Sequence, residues 1–150
     1  MEIAAIFRSL AALSALALPA CAASEPLPQP EPLHVSCSVT DGDTIRCGGE
    51  RVRLLGIDAP EFPGKCREGR DCAPGDPWAS TEALRGAMAG RKLSIRRFGY
   101  DRYGRALAEV FADGENLSCS QVQDGQAIYV RRWDNEGRVR QSCPDIASLW

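Results

Sequence analysis

Short runs of alternating apolar and polar residues dominate the first half of the chain and predict β-strands joined by tight turns. Val35 and Val39 alternate with polar neighbours in the first run. The dipeptides Asp41-Gly42 and Gly48-Gly49 are turn signals that separate this run from the two that follow. The three predicted strands form a β-meander and cover residues 34–40, 43–47 and 51–57.

The second half begins with a loop over residues 58–76 that is rich in Pro, Gly and charged residues. Pro77 then suits the first turn of a helix, and Trp78, Leu84 and Met88 fall near one helical face. Beyond Tyr129 the periodicity fades. The predicted elements are, in chain order, a helix over 77–88, strands over 91–98 and 105–111, a helix over 117–123 and a short helix near 145–149.

Five short strands with a helix after the third predict an α+β domain. The pattern fits a five-stranded Greek-key β-barrel of the OB-fold type with two or three helices. An open five-stranded sheet with helices on one face is the alternative. A chain of 150 residues that carries a targeting segment has room for one such domain.

The N-terminus predicts export. Residues 1–23 contain an apolar run that is too short to span a bilayer and that ends in small residues, as a cleaved signal peptide does. An alternative is a lipoprotein signal with a lipid anchor at Cys21. Residues 24–33 contain four Pro and are predicted to be an extended linker, which leaves residues 34–150 as the domain. We therefore expect a periplasmic or secreted protein.

The cysteines agree with export. The chain has seven, and six remain once Cys21 is removed or lipidated. An even set in a small exported domain indicates disulfides, whereas a zinc site is disfavoured because there is one His and no CxxC pair. Two pairs are close enough in sequence to close local loops, and the third would tie down the C-terminus. This pairing, one of the 15 that six cysteines allow, is Cys37–Cys47, Cys66–Cys72 and Cys119–Cys143.

The net charge of −2 does not indicate a polyanionic partner, but the distribution of charge does. Between residues 85 and 105 there are seven basic residues, and Asp101 is the single acidic one. This stretch could steer a polyanion, or it could be an ordinary solvated face.

Two carboxylates are the strongest chemical signal. Asp43 begins the second predicted strand and Asp58 follows the third, and these ends are neighbours in a meander. Paired carboxylates without a His or Cys cluster favour a hard cation, Ca²⁺ or Mg²⁺. Arg53 lies on the same strand as Asp58 with opposite parity, so a bend is needed to direct both to one site. Each motif alone has a simpler reading, such as a hairpin turn for Asp41-Gly42.

Three motifs follow one another along the chain. They are Asp41-Gly42-Asp43-Thr44, then Arg53-Leu54-Leu55-Gly56-Ile57-Asp58-Ala59-Pro60-Glu61, then Asp101-Arg102-Tyr103-Gly104-Arg105. In order and in separation, these motifs resemble those of the staphylococcal nuclease (thermonuclease) family. The resemblance covers roughly residues 35–129. It implies an OB-fold enzyme that hydrolyses DNA and RNA with Ca²⁺ and leaves 3′-phosphates.

The resemblance also implies a role for each matching position. Carboxylates and one backbone carbonyl would hold the metal, one glutamate would activate water, and two arginines would clamp the phosphate. Asp41 and Thr44 would support the metal site, and Tyr103 would contact the nucleotide. The implied metal ligands are Asp43, Asp58 and the carbonyl of Ala59, and the implied catalytic residues are Arg53, Glu61 and Arg105.

Some features depart from the family pattern. The cysteines lie outside the nuclease motifs, and the segment after Glu61 is rich in Cys, Arg and Gly, so it is expected to alter access to the site. The chain after Tyr129 is short for the family. We expect a monomeric nuclease acting on DNA and RNA, with single strands favoured and no stable protein partner. The rivals are a non-catalytic OB-fold binding module and a disulfide-bonded envelope lipoprotein.

Overall fold

A computed structural model describes residues 27–148 and shows an α+β domain, which confirms the predicted class. The predicted signal peptide and Cys21 lie outside the described residues. The strands are β1 (Glu31–Pro32), β2 (Cys37–Asp41), β3 (Thr44–Cys47), β4 (Glu50–Leu54), β5 (Ile57–Asp58), β6 (Leu93–Tyr100), β7 (Ala106–Ala112), β8 (Glu115–Asn116) and β9 (Ile128–Tyr129). The α-helices are α1 (Pro77–Met88), α2 (Leu117–Gln123) and α3 (Arg138–Ser142), and 3₁₀ turns cover Arg131–Trp133 and Pro144–Ser148.

The predicted meander is present as the antiparallel strands β2, β3 and β4. Cys37 lies directly opposite Cys47 in the β2–β3 register, and the two form a disulfide. The register shifts between Val39 and Asp41, which gives the strand an irregularity just before the turn. The turn therefore presents Asp41 and Asp43 at one end of the meander.

The prediction of one continuous strand over residues 51–57 is wrong in a way that matters for the site. β4 stops at Leu54, and a turn at Leu55 and Gly56 precedes the two-residue strand β5. Gly56 has φ +74°, a left-handed conformation that glycine adopts without strain. This turn is the bend that allows Arg53 and Asp58 to face one another.

The main sheet has the order β1-β6-β7-β4-β3-β2, with β4 and β7 parallel. Its two ends, β1 and β2, are consecutive in the chain and are joined by residues 33–36. The sheet therefore curls round, as an OB-type Greek key does, although β1 and β2 do not pair with each other within residues 27–148. The predicted linker contributes β1, whose Glu31 pairs with Ile95 at the edge of β6.

Helices α1 and α2 follow their predicted bounds, whereas α3 was not predicted and the short helix expected near residues 145–149 is the 3₁₀ turn over Pro144–Ser148. Asp76 caps α1 by accepting hydrogen bonds from the backbone of its first turn, and Leu84 and Met88 are buried beneath it. Asn116 caps α2 in the same way. The core between sheet and helices contains Ile45, Val52, Leu54, Ile57, Leu84, Ile95, Val110, Leu117 and Ile146.

The C-terminal region is more structured than the fading periodicity predicts. Buried Asp134 accepts hydrogen bonds from the backbone N–H groups of Val139 and Arg140 and from the hydroxyl of Tyr129. A disulfide between Cys119 and Cys143 then fixes α3 to α2, and a third disulfide joins Cys66 to Cys72. All three pairs follow the pairing that the spacing favoured. Within the described part of the chain, no helix is both long and apolar enough to cross a membrane.

Candidate active site

Asp43 and Arg53 form the centre of the site. Asp43, in the turn directly before β3, is 4% exposed, and Arg53 faces it from β4 because the neighbouring Thr44 is the register partner of Arg53. Arg53 donates one hydrogen bond to Oδ1 of Asp43 and another, of 3.1 Å, to the carbonyl of Ile57. The hydroxyl of Thr44 also donates to Oδ1 of Asp43, at 3.0 Å. This neighbouring bond fits the supporting role that the resemblance implies for Thr44.

The turn at Gly56 brings Asp58 and Ala59 into the same cluster. Asp58 is 2% exposed, and its Oδ1 lies 3.4 Å from Nη2 of Arg53. The backbone N–H of Ala59 donates to Oδ2 of Asp43, at 2.9 Å. One guanidinium and one backbone amide therefore join the two loops that carry the carboxylates.

Arg70 belongs to this cluster and was not predicted. Its Nη2 lies 2.6 Å from Oδ1 of Asp58, and its Nη1 lies 3.0 Å from Oε1 of Glu61. The residue comes from the loop closed by Cys66 and Cys72. The short Cys spacing directly after Glu61 is the sequence signal that could have indicated a contribution from this loop.

Asp41 lies at the entrance to the turn and accepts a hydrogen bond from the backbone of Asp43, at 3.2 Å. Burial, together with the negative charge of Asp43, raises the pKa of Asp41 to about 6. Helix α2 supports the turn because the side-chain amide of Gln121 donates to the carbonyl of Gly42, at 2.7 Å. The turn is therefore fixed, and it holds two carboxylates close together.

Arg105 lies in a separate loop, residues 101–105, between β6 and β7. Its Nε donates to Oδ2 of Asp101 at 2.7 Å, and its backbone N–H donates to Oδ1 of the same carboxylate at 2.9 Å. Burial opposes ionisation of Asp101, but these hydrogen bonds outweigh it and lower the pKa of Asp101. Tyr103, 40% exposed at the tip of the loop, lies against the guanidinium groups of Arg67, Arg102 and Arg105.

Two adjoining cavities connect these groups. The smaller, of about 60 Å³, is lined mainly by polar groups and includes the carboxylates of Asp41, Asp43 and Glu61 but not that of Asp58. Its lining is Asp41, Asp43, Arg53, Ala59, Pro60, Glu61 and Arg105. The larger is an open cavity of about 930 Å³, with Tyr103 and Trp133 among its lining residues. Its cationic residues are Arg51, Arg53, Lys65, Arg67, Arg70, Arg102, Arg105 and Arg132, against Asp41, Glu61 and Asp101.

The donor set of the small cavity fits a hard divalent cation. Its negatively charged groups are carboxylates, whose oxygens are the donors that such ions prefer. Within residues 27–148 no three acidic, His or Cys side chains converge tightly enough to hold a metal on their own. The guanidinium groups of Arg53 and Arg70 instead provide the positive charge beside Asp43 and Asp58.

Comparison with known proteins identifies relatives. A profile of the family described as staphylococcal nuclease homologue matches residues 51–144. The succinoglycan biosynthesis protein ExoI of Rhizobium meliloti is 37% identical over 109 residues, which cover 71% of this chain and 56% of that protein. An uncharacterized endonuclease of Escherichia coli O157:H7 is 36% identical over 103 residues, which cover 65% of this chain and 61% of that protein. The chain thus spans somewhat more than half the length of these relatives.

A plant protein is also similar to this chain. The probable staphylococcal-like nuclease CAN1 of Oryza sativa subsp. japonica is 26% identical over 113 residues, which cover 73% of this chain and 31% of that protein. The residues matched by the family profile include Arg53, Asp58, Glu61 and Arg105.

Proposed function

Because the chain belongs to the staphylococcal nuclease homologue family, we propose that it is a nuclease that hydrolyses phosphodiester bonds of DNA and RNA. The observation that carries the proposal is that Asp43, Glu61, Arg53 and Arg105 line one small cavity, while Asp58 lies beside it in contact with Arg53. Carboxylates for water activation beside fixed guanidinium groups are what phosphoryl transfer needs.

Ca²⁺ is the proposed cofactor. Asp43, Asp58 and the carbonyl of Ala59 would hold it, with Asp41 offsetting its charge from the neighbouring position on the turn. When bound, the ion would polarise a phosphoryl oxygen and help to hold water. The hydrogen bond that Asp43 accepts from Ala59 keeps the two ligand-bearing loops together before any ion binds.

Each remaining residue has a role that follows from its chemistry. Glu61 is 30% exposed in its side chain and lines both cavities, so it can reach a water molecule in either. As that water attacks phosphorus, Glu61 accepts its proton, and the bond from phosphorus to the 5′ oxygen breaks. Arg53 and Arg105 stabilise the negative charge that grows on the phosphoryl oxygens. Asp101 fixes Arg105 for this role.

The larger cavity suits a single strand of nucleic acid. Its rim has an excess of cationic side chains, which attract the phosphate backbone, and the rings of Tyr103 and Trp133 offer faces on which unpaired bases can stack. A paired base does not expose its face in this way. We therefore propose that single strands are preferred. We also propose that the enzyme acts as a monomer.

The proposed location is outside the cytoplasm, either periplasmic or secreted. Three disulfides in one small domain are typical of exported proteins. The expected signal peptide would direct export. Mass spectrometry of the mature N-terminus tests this location, and a diacylglyceryl group on Cys21 would instead support the lipid-anchored alternative.

The catalytic proposal is tested by digestion of single-stranded DNA with Ca²⁺ or with EGTA. We expect cleavage with Ca²⁺ and none with EGTA. Glu61→Gln should lower turnover by at least about 100-fold while calcium binding and thermal stability stay near the wild-type values, because the side chain keeps its size and loses its basicity. Full activity in EGTA would refute the calcium mechanism. DNA binding without cleavage under either condition would favour the binding-module alternative.

A further inference from the structure

The loop closed by the disulfide between Cys66 and Cys72 brings Arg70 to the carboxylates. One nitrogen of Arg70 binds Asp58 and the other binds Glu61, at 2.6 and 3.0 Å. No other group in residues 27–148 donates a hydrogen bond to the side chain of Glu61, so Arg70 alone sets its orientation. Asp58 differs, because Arg53 also approaches it.

The disulfide-closed loop contacts two aromatic residues that line the large cavity. Arg70 lies 5.5 Å from the ring of Trp133, which also contacts Arg53, at 5.3 Å. Arg67, three residues earlier, lies 4.9 Å from the ring of Tyr103 on the opposite loop. The disulfide closes the loop that contains both arginines and so restricts its conformations. Arg70 is therefore held in place from both sides rather than being a freely rotating surface side chain.

We propose that Arg70 is a positioning residue that orients Glu61 and that neutralises the negative charge of Asp58 while no metal cation is bound. This inference rests on the proposed role of Glu61 as general base. Separate nitrogens bind the two carboxylates, so Asp58 can be released to a cation while the contact to Glu61 is kept. The positive charge of Arg70 also repels a metal cation that binds nearby. Arg70 thus aids turnover and weakens cation binding.

Arg70→Met tests this pair of opposed effects because it removes the charge and the donors but keeps much of the length of the side chain. We expect kcat to fall about 10- to 100-fold, since Glu61 loses its orienting partner, with KM changed less than about 3-fold. Titration calorimetry without nucleic acid should show Ca²⁺ binding about 3- to 10-fold tighter, since a nearby positive charge is gone. A merely structural role would weaken both properties together.

Three further variants isolate the cause. Arg70→Lys keeps the charge but not the two-nitrogen geometry, so calcium affinity should stay near wild type while kcat remains reduced. Arg85→Met removes the same charge from an exposed position on α1 and should leave both quantities unchanged. Cys66→Ser with Cys72→Ser releases the loop and should reproduce part of the Arg70→Met effect on kcat.

Other outcomes overturn the inference. Unchanged kcat with raised KM in Arg70→Met would make Arg70 a substrate-binding residue, and weaker calcium binding would exclude competition with the cation. Lack of nuclease activity in the wild-type protein would refute the proposed function instead. The calorimetric comparison would still decide whether Arg70 opposes cation binding.

Discussion

At the scale of single residues, the carboxylates of the site are each bound before any ligand arrives. Asp43 accepts from Thr44, Arg53 and the backbone of Ala59, and Asp101 accepts from the loop that it closes. Buried charges without such partners would cost several kcal/mol. The site is therefore preorganised, with Arg53 and Arg105 each held by a carboxylate partner.

Asp101 gives a test of this preorganisation through the dependence of stability on pH. Because its pKa is lowered in the folded protein, its contribution is fully present above the ordinary value of 3.8 and is lost as the pH falls through the lowered value. Asp101→Asn should therefore lower the free energy of unfolding by about 1–2 kcal/mol at pH 7 and by much less at pH 3. Urea unfolding at the two pH values measures this.

Asp124→Asn is the matched control, because Asp124 is exposed and its side chain accepts no hydrogen bond from the described residues. A difference between Asp101→Asn and the wild type that stays equal at pH 7 and pH 3 would contradict the prediction. Asp101→Asn should also lower kcat, since Arg105 loses the carboxylate that fixes it.

The residues of the site differ in how far the sequence alone could identify them. Asp43 and Asp58 could be predicted from their chemistry and from the neighbouring ends of a meander. On one continuous strand, Arg53 and Asp58 would point to opposite faces, and the turn at Gly56 removes this obstacle to placing both in one site. Arg70 could not be predicted, because its partners lie 9 and 12 positions away across an irregular loop that has no periodicity.

At the scale of elements, turns place the chemistry and strands support the turns. The β2–β3 turn packs against helices α1 and α2: Gln121 of α2 donates to the carbonyl of Gly42, and Gly42 lies against Ser80 of α1. A β-carbon added at Gly42 would meet Oγ of Ser80 at 1.9 Å and Cβ of Ala59 at 2.7 Å. Only glycine therefore fits between α1 and the loop that carries Ala59.

Gly42→Ala should displace this turn and with it Asp41 and Asp43. We expect a loss of stability of about 1–3 kcal/mol from overpacking, and calcium binding weakened at least about 10-fold because the ligands no longer converge. Thermal melts and calorimetry measure the two effects. Gly49→Ala, in the neighbouring turn with open space around the added carbon, should change neither. Wild-type calcium affinity in Gly42→Ala would contradict the role of the turn.

Elements with a clear period were predictable, and those defined by tertiary contacts were not. Helices α1 and α2 match their predicted bounds because each has a cap and an apolar face. Strands β1, β5, β8 and β9 contain two residues each, too few to show alternation, and they exist because a partner strand is present. Helix α3 likewise depends on Asp134 and on the disulfide at Cys143.

At the scale of the whole molecule, the disulfides determine which parts can move apart. Two of the disulfides each close a short local loop, with sequence separations of 10 and 6 residues. The third joins Cys119 to Cys143 across 24 residues. The longest loop removes the most entropy from the unfolded chain, about 3 kcal/mol in the chain-entropy account. This bond holds α3 against α2.

Charge is also organised at this scale, and it gives the last prediction. The chain has a net charge of −2, yet cationic side chains far outnumber acidic ones around the large cavity. Binding of a single-stranded oligonucleotide in the presence of EGTA, which prevents cleavage, should weaken roughly 10- to 100-fold between about 50 and 200 mM salt, as expected for about four displaced counterions. Fluorescence anisotropy measures the affinity.

Arg132→Glu, on the rim, should weaken binding and flatten the salt dependence, whereas Arg85→Glu on α1 should do neither. Affinity independent of salt would show that the cavity is not where the phosphate backbone binds.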